Sequence, residues 1–443
     1  MLNKSMFAVW LWPDTAARLG PRLTAQWLAD AGVTDIYLLV KGQSGAVCFD
    51  GSETALKTAL PGLDILPKML KSAHEYGMRV HAWLTSSHDA AFRALYPESG
   101  LCHFKRGRDR DIVNVTNERY RDYMTALVRE MFEKCAPDGL HLDYIRYNHL
   151  TYGWGEEDRE ALKKRGVNLE YADQMIEKTF FGDAPDGRSV FDACERGDGD
   201  MRQIARYRRE NVTAFARAMT QAARETKKDA VLSAALMPEG AYAGNDRAGD
   251  VSGVAFAALH YGQSYADAAT LYDHAAIMAY APTYGRDGSW IRHLVQNATN
   301  VYGCRAAAGL QAYGAGNSAT LQENMRALTP LNSEPRFLGC ALFRAGETIL
   351  CRAEKTAGGT LLTVNNLCAQ DLTKLTVSQS GAQTARTETP AQEFALQNDT
   401  LLKPGGTLCV RLPFALPGAS SVRVFLKAEE GRAYVYDARG PIL

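Results

Sequence analysis

The chain lacks the short signatures that hold metals, phosphates and dinucleotides. Its nine cysteines (Cys48, Cys102, Cys135, Cys194, Cys304, Cys340, Cys351, Cys368, Cys409) are scattered singly, odd in number and without a CxxC pair. They read as small buried hydrophobes in a reducing compartment rather than as a disulfide framework. Its nine histidines show no HxH or HExxH spacing, so a metal site has no support. Neither GxGxxG nor GxxxxGK follows the first strand-like run, which weakens a nucleotide-binding reading. Ser233 and Ser252 lack the GxSxG elbow of a serine hydrolase. No apolar run approaches the ~18 residues that cross a membrane. Charge of one sign is also missing: fifty basic residues balance fifty acidic ones. That balance gives no reason to expect a nucleic-acid or anionic-membrane partner, and it suits a neutral substrate. The N-terminal apolar run stops at Pro13 with no small-residue cleavage site. It reads as a first strand rather than a secretion signal, which makes a cytoplasmic location the expectation.

What is present is alternation. With 443 residues and 46% hydrophobic content, the chain suits a large globular domain followed by a smaller one. Short apolar strand candidates fall at 7–12, 35–41, 79–85, 139–146, 230–237, 274–280, 306–311 and 337–343. Helical patterns separate them at 15–31, 65–76, 118–135, 200–226, 265–272, 289–302 and 320–328. Eight apolar strands separated by helices predict a (β/α)8 barrel over residues 1–346, with an open doubly wound sheet as the alternative. Two long connections, 148–199 and 240–264, leave the C-terminal ends of the fourth and fifth strands and read as lids or binding loops. Residues 347–443 carry short strand-like pieces between Gly, Pro, Asn and Ser, and predict a small C-terminal all-β sandwich.

The most informative stretch is Asp138-Gly139-Leu140-His141-Leu142-Asp143-Tyr144-Ile145-Arg146-Tyr147. Alternate side chains of a strand face opposite sides, so His141 and Asp143 share a face. A carboxylate near the end of a buried strand costs several kcal/mol unless something there uses it. Asp143 therefore reads as a catalytic carboxylate at the barrel mouth, or else as a loop anchor paired with Arg146. Parity on the other strands brings Trp10, Trp12, Lys41, His81, Trp83, Tyr280, Gln311 and Arg344 towards the same end. Aromatic faces with amide and charged groups compose a carbohydrate site. Hydrolysis of a glycosidic bond needs two carboxyl groups. Glu239, just past Pro238 on the adjacent strand, is the partner expected to act as acid with a raised pKa, leaving Asp143 as nucleophile or base. Asp246, Asp250, Glu156 and Glu157 are alternatives to Glu239. The reaction class expected is O-glycoside hydrolysis without an organic cofactor. The rival readings are a non-catalytic carbohydrate-binding barrel and a metal-dependent hydrolase using His81, His141 and Asp143.

At these residues the chain resembles the glycosyl-hydrolase-like TIM-barrel proteins of family ten. The resemblance rests on Phe7-Ala8-Val9-Trp10, Val80-His81-Ala82-Trp83, Tyr120-Arg121-Asp122-Tyr123-Met124, the Asp138–Tyr147 stretch, Tyr207–Val212, Leu232-Ser233-Ala234-Ala235, and Met278-Ala279-Tyr280 with Tyr284. It spans residues 6 to about 345. It implies a barrel hydrolase acting on polysaccharide, with some members thought to cut bacterial cell-wall glycan. It places Asp143 on the family's acidic strand-four residue, and Trp83, Tyr144, Arg146 and Tyr280 on site-lining motifs. Thr85 and Asn148 depart from the family pattern, which often has Asn and Pro there.

Overall fold

The structure, a computed structural model, describes residues 5–242, 253–312, 318–345, 349–366, 372–380, 392–395, 401–403, 406–412, 421–428 and 433–438. Eight parallel strands form the core: β1 (Met6–Leu11), β2 (Asp35–Lys41), β3 (Arg79–Thr85), β4 (Gly139–Asp143), β5 (Val231–Leu236), β6 (His274–Met278), β7 (Ala306–Gln311) and β8 (Phe337–Phe343). They pair in chain order, and β1 pairs with both β2 (Ala8 opposite Asp35) and β8 (Met6 opposite Gly339). The sheet therefore closes on itself as the expected (β/α)8 barrel. Its strands are buried on both faces, which is why they read as apolar runs rather than alternating ones.

Helices α1 (Pro21–Asp30), α2 (Ile65–Glu75), α3 (Glu118–Cys135), α4 (Gly199–Thr226), α5 (Tyr265–Leu271), α6 (Gly288–Gln296) and α7 (Ser318–Ala327) connect the strands. The helix expected over 15–31 is two. Gly20 has φ 84°, and Pro21 disfavours helix in the residue before it, so Pro13–Leu19 stops there and α1 starts anew. Asn117 and Asp198 cap α3 and α4 with their side chains, each accepting from the backbone N–H three residues on.

The barrel interior is filled asymmetrically. Strands β1–β3 send in Trp10, Tyr37 and Trp83, whereas β5–β8 send in Ala235, Ala276, Ala307 and Ala341. Gly309 completes the small side: a Cβ there would sit 2.6 Å from the Ile277 carbonyl oxygen and 3.2 Å from the Trp10 ring. Small residues on one half make room for indoles from the other.

The 148–199 connection is not a plain loop. It forms helices Glu156–Lys164, Leu169–Phe180 and Ser189–Arg196. These bury Trp154, Leu162, Ile176 and Phe191 against α4 and the helix Gly253–His260 of the other long connection, as a second apolar core. A hairpin, Gly100–His103 with Gly107–Val113, follows β3 and had no sequence signal. After β8 the chain makes small antiparallel sheets, one from Ile349–Thr356, Gly359–Asn366 and Thr407–Leu412, another around Leu372–Ser380 and Ser421–Ala428.

Candidate active site

A cavity of about 480 Å3 opens at the C-terminal ends of the strands, the end where barrel enzymes keep their sites. Trp10, Trp12, Trp83, Tyr280 and Phe343 supply its aromatic walls, and Gln43, Thr85, Asp143, Tyr144 and Arg146 its polar ones. Trp12 meets Trp83 edge to face at 4.8 Å, and Tyr280 stacks on Phe343 at 5.3 Å. Asp143 is the one carboxyl group among the described residues that line this cavity.

Asp143 is held by two donors. The Trp83 Nε1–H donates to Oδ2 at 3.1 Å, and the Tyr144 backbone N–H to Oδ1 at 2.7 Å. Burial raises its pKa above the usual carboxylate value, while the Tyr144 N–H, the Arg146 charge and the Trp83 N–H pull the other way. Tyr144 has φ 50°, the left-handed region, which costs a non-glycine residue about 1–2 kcal/mol. That turn ends β4 at Asp143, not at Arg146 as expected, and sends Tyr144 and Arg146 to the cavity wall. The loop after β3 locks the turn: the Ser86 N–H donates to the Asp143 carbonyl, and the Ser87 hydroxyl to the Tyr144 carbonyl.

Arg146 does not pair with Asp143. Its guanidinium lies 5.1 Å from the Tyr144 ring centre and 5.5 Å from that of Tyr261. Its Nη1 makes only long contacts, 3.4 Å to each of the Tyr147 and Asn148 carbonyls, and its Nε has no hydrogen-bond partner. The reading of Asp143 as a loop anchor tied to Arg146 therefore fails.

Several residues expected at the mouth lie elsewhere. Lys41 misses the interior because the β2–β3 register slips between Leu39 and Lys41, which turns it outward opposite Leu84. It is fully buried 3.1 Å from Asp89 and donates to the Thr85 and His88 carbonyls, so it fastens the loop behind the cavity. His141 sits beneath the floor. The Trp10 Nε1–H donates to its Nε2 at 3.1 Å, so its proton is on Nδ1, directed at the Ser233 hydroxyl 2.9 Å away. Burial, with His274 and His81 nearby, pushes its pKa well below the usual value and keeps it neutral. His81 lies deeper still, bound to Asp35 at 2.8 Å near the N-terminal ends of the strands. These two histidines and Asp143 do not converge on a metal, and among the described residues no cluster of three such ligands exists. Gln311 is buried, its Oε1 accepting from the Thr283 N–H and hydroxyl. Arg344 covers Trp12 at 4.8 Å from the ring centre.

Glu239 and Tyr284 form a separate group beside the cavity. Glu239 is 4% exposed on the short helical turn Pro238–Ala241, and its Oε1 accepts from the hydroxyls of Tyr284 at 3.1 Å and Tyr261 at 3.4 Å. It is not among the residues that line the cavity. Burial raises the carboxyl pKa of Asp143, which sits on a strand end. Of the alternative partners, Glu157 is tied to Arg108 at 2.8 Å, Glu156 starts an outer helix, and Asp246 and Asp250 lie outside the described residues. Gln43, Leu39 and Phe343 line the cavity without having been singled out. Parity with Tyr37 and Ala341 marks Leu39 and Phe343, but nothing in the sequence marks Gln43, two residues beyond the register slip.

Among solved structures, the fold is similar to the PgaB (BpsB) glycoside hydrolase domain from Bordetella bronchiseptica, with TM-score 0.56 and 16% identity over 77% of this chain and 94% of that one. Alpha-L-fucosidase isoenzyme 2 from Paenibacillus thiaminolyticus gives TM-score 0.51 and 14% identity over 76% of this chain. The match spans 45% of that fucosidase. Both are glycoside hydrolases, and at these identities the likeness is one of fold. No protein-family model matches the chain, and no curated protein matches it.

Proposed function

We propose that this barrel is a glycoside hydrolase that cleaves an O-glycosidic bond in an oligo- or polysaccharide, with Asp143 as the carboxyl that exchanges a proton with the glycosidic oxygen. The observation that carries this is the placement of Asp143. It is a buried carboxyl, gripped by one indole and one backbone N–H, in an aromatic-walled cavity at the catalytic end of a barrel. Indole and phenyl faces pack on the apolar faces of sugar rings. Burial raises the pKa of Asp143 towards the range in which a carboxyl holds a proton and gives it up to a leaving group.

Glu239 is the second carboxyl in this proposal, on the helical turn that follows the strand next to that of Asp143, beside the cavity, where two tyrosine hydroxyls donate to it. This assignment exchanges the acid and base roles that the sequence suggests for the two. Trp10, Trp12, Trp83, Tyr144 and Tyr280 bind the sugar, and the resemblance to the family-ten barrels supports a polysaccharide, with bacterial cell-wall glycan one candidate. Hydrolysis needs only water besides the protein groups. The test is reducing-end release from a panel of glycans by the wild type and Asp143→Asn. Cleavage by the wild type alone supports the proposal. Binding of the same glycan by both, with cleavage by neither, replaces it with a carbohydrate-binding barrel.

A further inference from the structure

A guanidinium with unspent donors beside a catalytic carboxyl calls for a ligand. Arg146 lines the cavity next to Asp143 and Tyr144, fixed between the Tyr144 and Tyr261 rings. Among the described residues no carboxylate pairs with it, and its buried Nε–H meets no acceptor. Beside Tyr144, behind the residues that line the cavity, lie two more buried polar atoms without hydrogen-bond partners. One is Nδ1 of His88, whose ring meets Tyr144 at 4.4 Å; the other is Oδ1 of Asn148, whose amide nitrogen is 3.3 Å from His88 Nε2. Native proteins leave few buried polar atoms unsatisfied, and a cluster of three demands an explanation.

Two features of the geometry narrow the answer. An arginine stacked on aromatic rings presents its planar fork at a fixed angle, the arrangement that binds carboxylates in bidentate fashion. Among the described residues that line the cavity Arg146 is the one cation: Lys41 is paired with Asp89 behind the loop, and Arg344 lies over the Trp12 ring.

We infer that the substrate is an acidic glycan, and that Arg146 receives a carboxylate carried by the sugar next to the scissile bond. This rests on the glycosidase reading of the same cavity. The chain's overall neutrality is no objection, since one guanidinium facing one carboxylate sets the preference locally. The carboxylate has two chemical sources: the oxidised C6 of a hexuronic acid, or a carboxyalkyl ether on a sugar hydroxyl.

The test measures binding by calorimetry to full-length Asp143→Asn, so that turnover does not interfere. The probes are a hexuronate tetrasaccharide and a tetrasaccharide bearing carboxyethyl ethers, each beside its carboxyl-reduced counterpart. The expected result is at least tenfold tighter binding of one acidic probe than of its reduced partner. Adding Arg146→Gln removes that ratio, and Arg146→Lys keeps a small part of it. Which acidic probe wins identifies the source. Equal binding of acid and reduced partner in both pairs, or no binding of any probe, overturns the inference. So does a preference that survives Arg146→Gln in protein of unchanged melting temperature. The hydrolase reading is judged separately: an Arg146-dependent preference without cleavage by the wild type leaves this inference standing and removes that reading.

Discussion

The Trp83 indole N–H and the Asp143 Oδ2 are 3.1 Å apart, so a side chain that walls the cavity also sets the proton affinity of its carboxyl. Removing the donor in Trp83→Phe keeps an aromatic wall and withdraws one hydrogen bond from the anion. A hydrogen bond to a charged group is worth about 1.5–3 kcal/mol, which corresponds to roughly one to two pKa units. The limb of the pH–rate profile governed by Asp143 moves upward in pH by about that amount. A profile that scales down without shifting contradicts this role.

Asp143→Asn is expected to stabilise the fold while it destroys activity. The pKa of Asp143 is raised in the folded state, first by burial. The carboxyl therefore favours folding below its unfolded value and loses that contribution as pH rises through the folded one. At neutral pH the uncharged amide is free of this penalty. Thermal unfolding at pH 7 gives an equal or higher Tm for the variant, and at pH 4 the gap narrows.

Lys41→Met tests the displacement of Lys41 from the cavity. Lys41 and Asp89 are both fully buried, and burial is the main influence that lowers the lysine's pKa. Deleting one partner leaves the other charge uncompensated, at about 3–5 kcal/mol. The loss appears in chemical denaturation, and Lys41→Met with Asp89→Asn recovers most of it. Glycan affinity of the folded fraction stays unchanged. Loss of affinity with intact stability restores the sequence-based placement of Lys41 in the site.

Acid is expected to unfold this protein early. Burial drops the pKa of His88 and His149 to about 4 and that of His274 to about 3, and holds His141 well below its usual value. All four are neutral when folded and take up a proton on unfolding as pH falls below about 6.5. Their stabilising effect is present above that value and is lost as pH falls towards the folded values. Asp158, raised by burial to about 6, and Asp143 oppose the trend, since the folded state then binds their protons. Burial lowers His103 as well, so the histidine uptakes outnumber the two carboxyl releases and stability falls as pH drops from about 6 to about 4.5. Denaturant titrations across that interval measure the slope. A flat response means that these histidines are charged in the folded protein.

Much of this was legible in the sequence, for physical reasons. Barrel strands buried on both faces stay apolar throughout, so all eight stood out, and parity placed Trp10, Trp12, Trp83 and Asp143 on inward faces. What parity misses is any break in the strand. A single register slip turned Lys41 outward, and the left-handed Tyr144 ended β4 early. Parity also says nothing about depth: His81 and His141 do face inward, but below the cavity, where they bind Asp35, Trp10 and Ser233. The helical nature of 148–199 was hidden because its apolar positions pack a second core away from the barrel.

The central claim is that Asp143 does chemistry rather than simply contact sugar. The most direct measurement is kcat for wild type and Asp143→Asn on a glycan that the wild type cleaves, with Kd for both by calorimetry. The account predicts a fall in kcat of about 10²–10⁴, with Kd within about threefold because the aromatic walls are untouched. A variant that keeps kcat within a few-fold of wild type, on a protein of the same Tm, contradicts it.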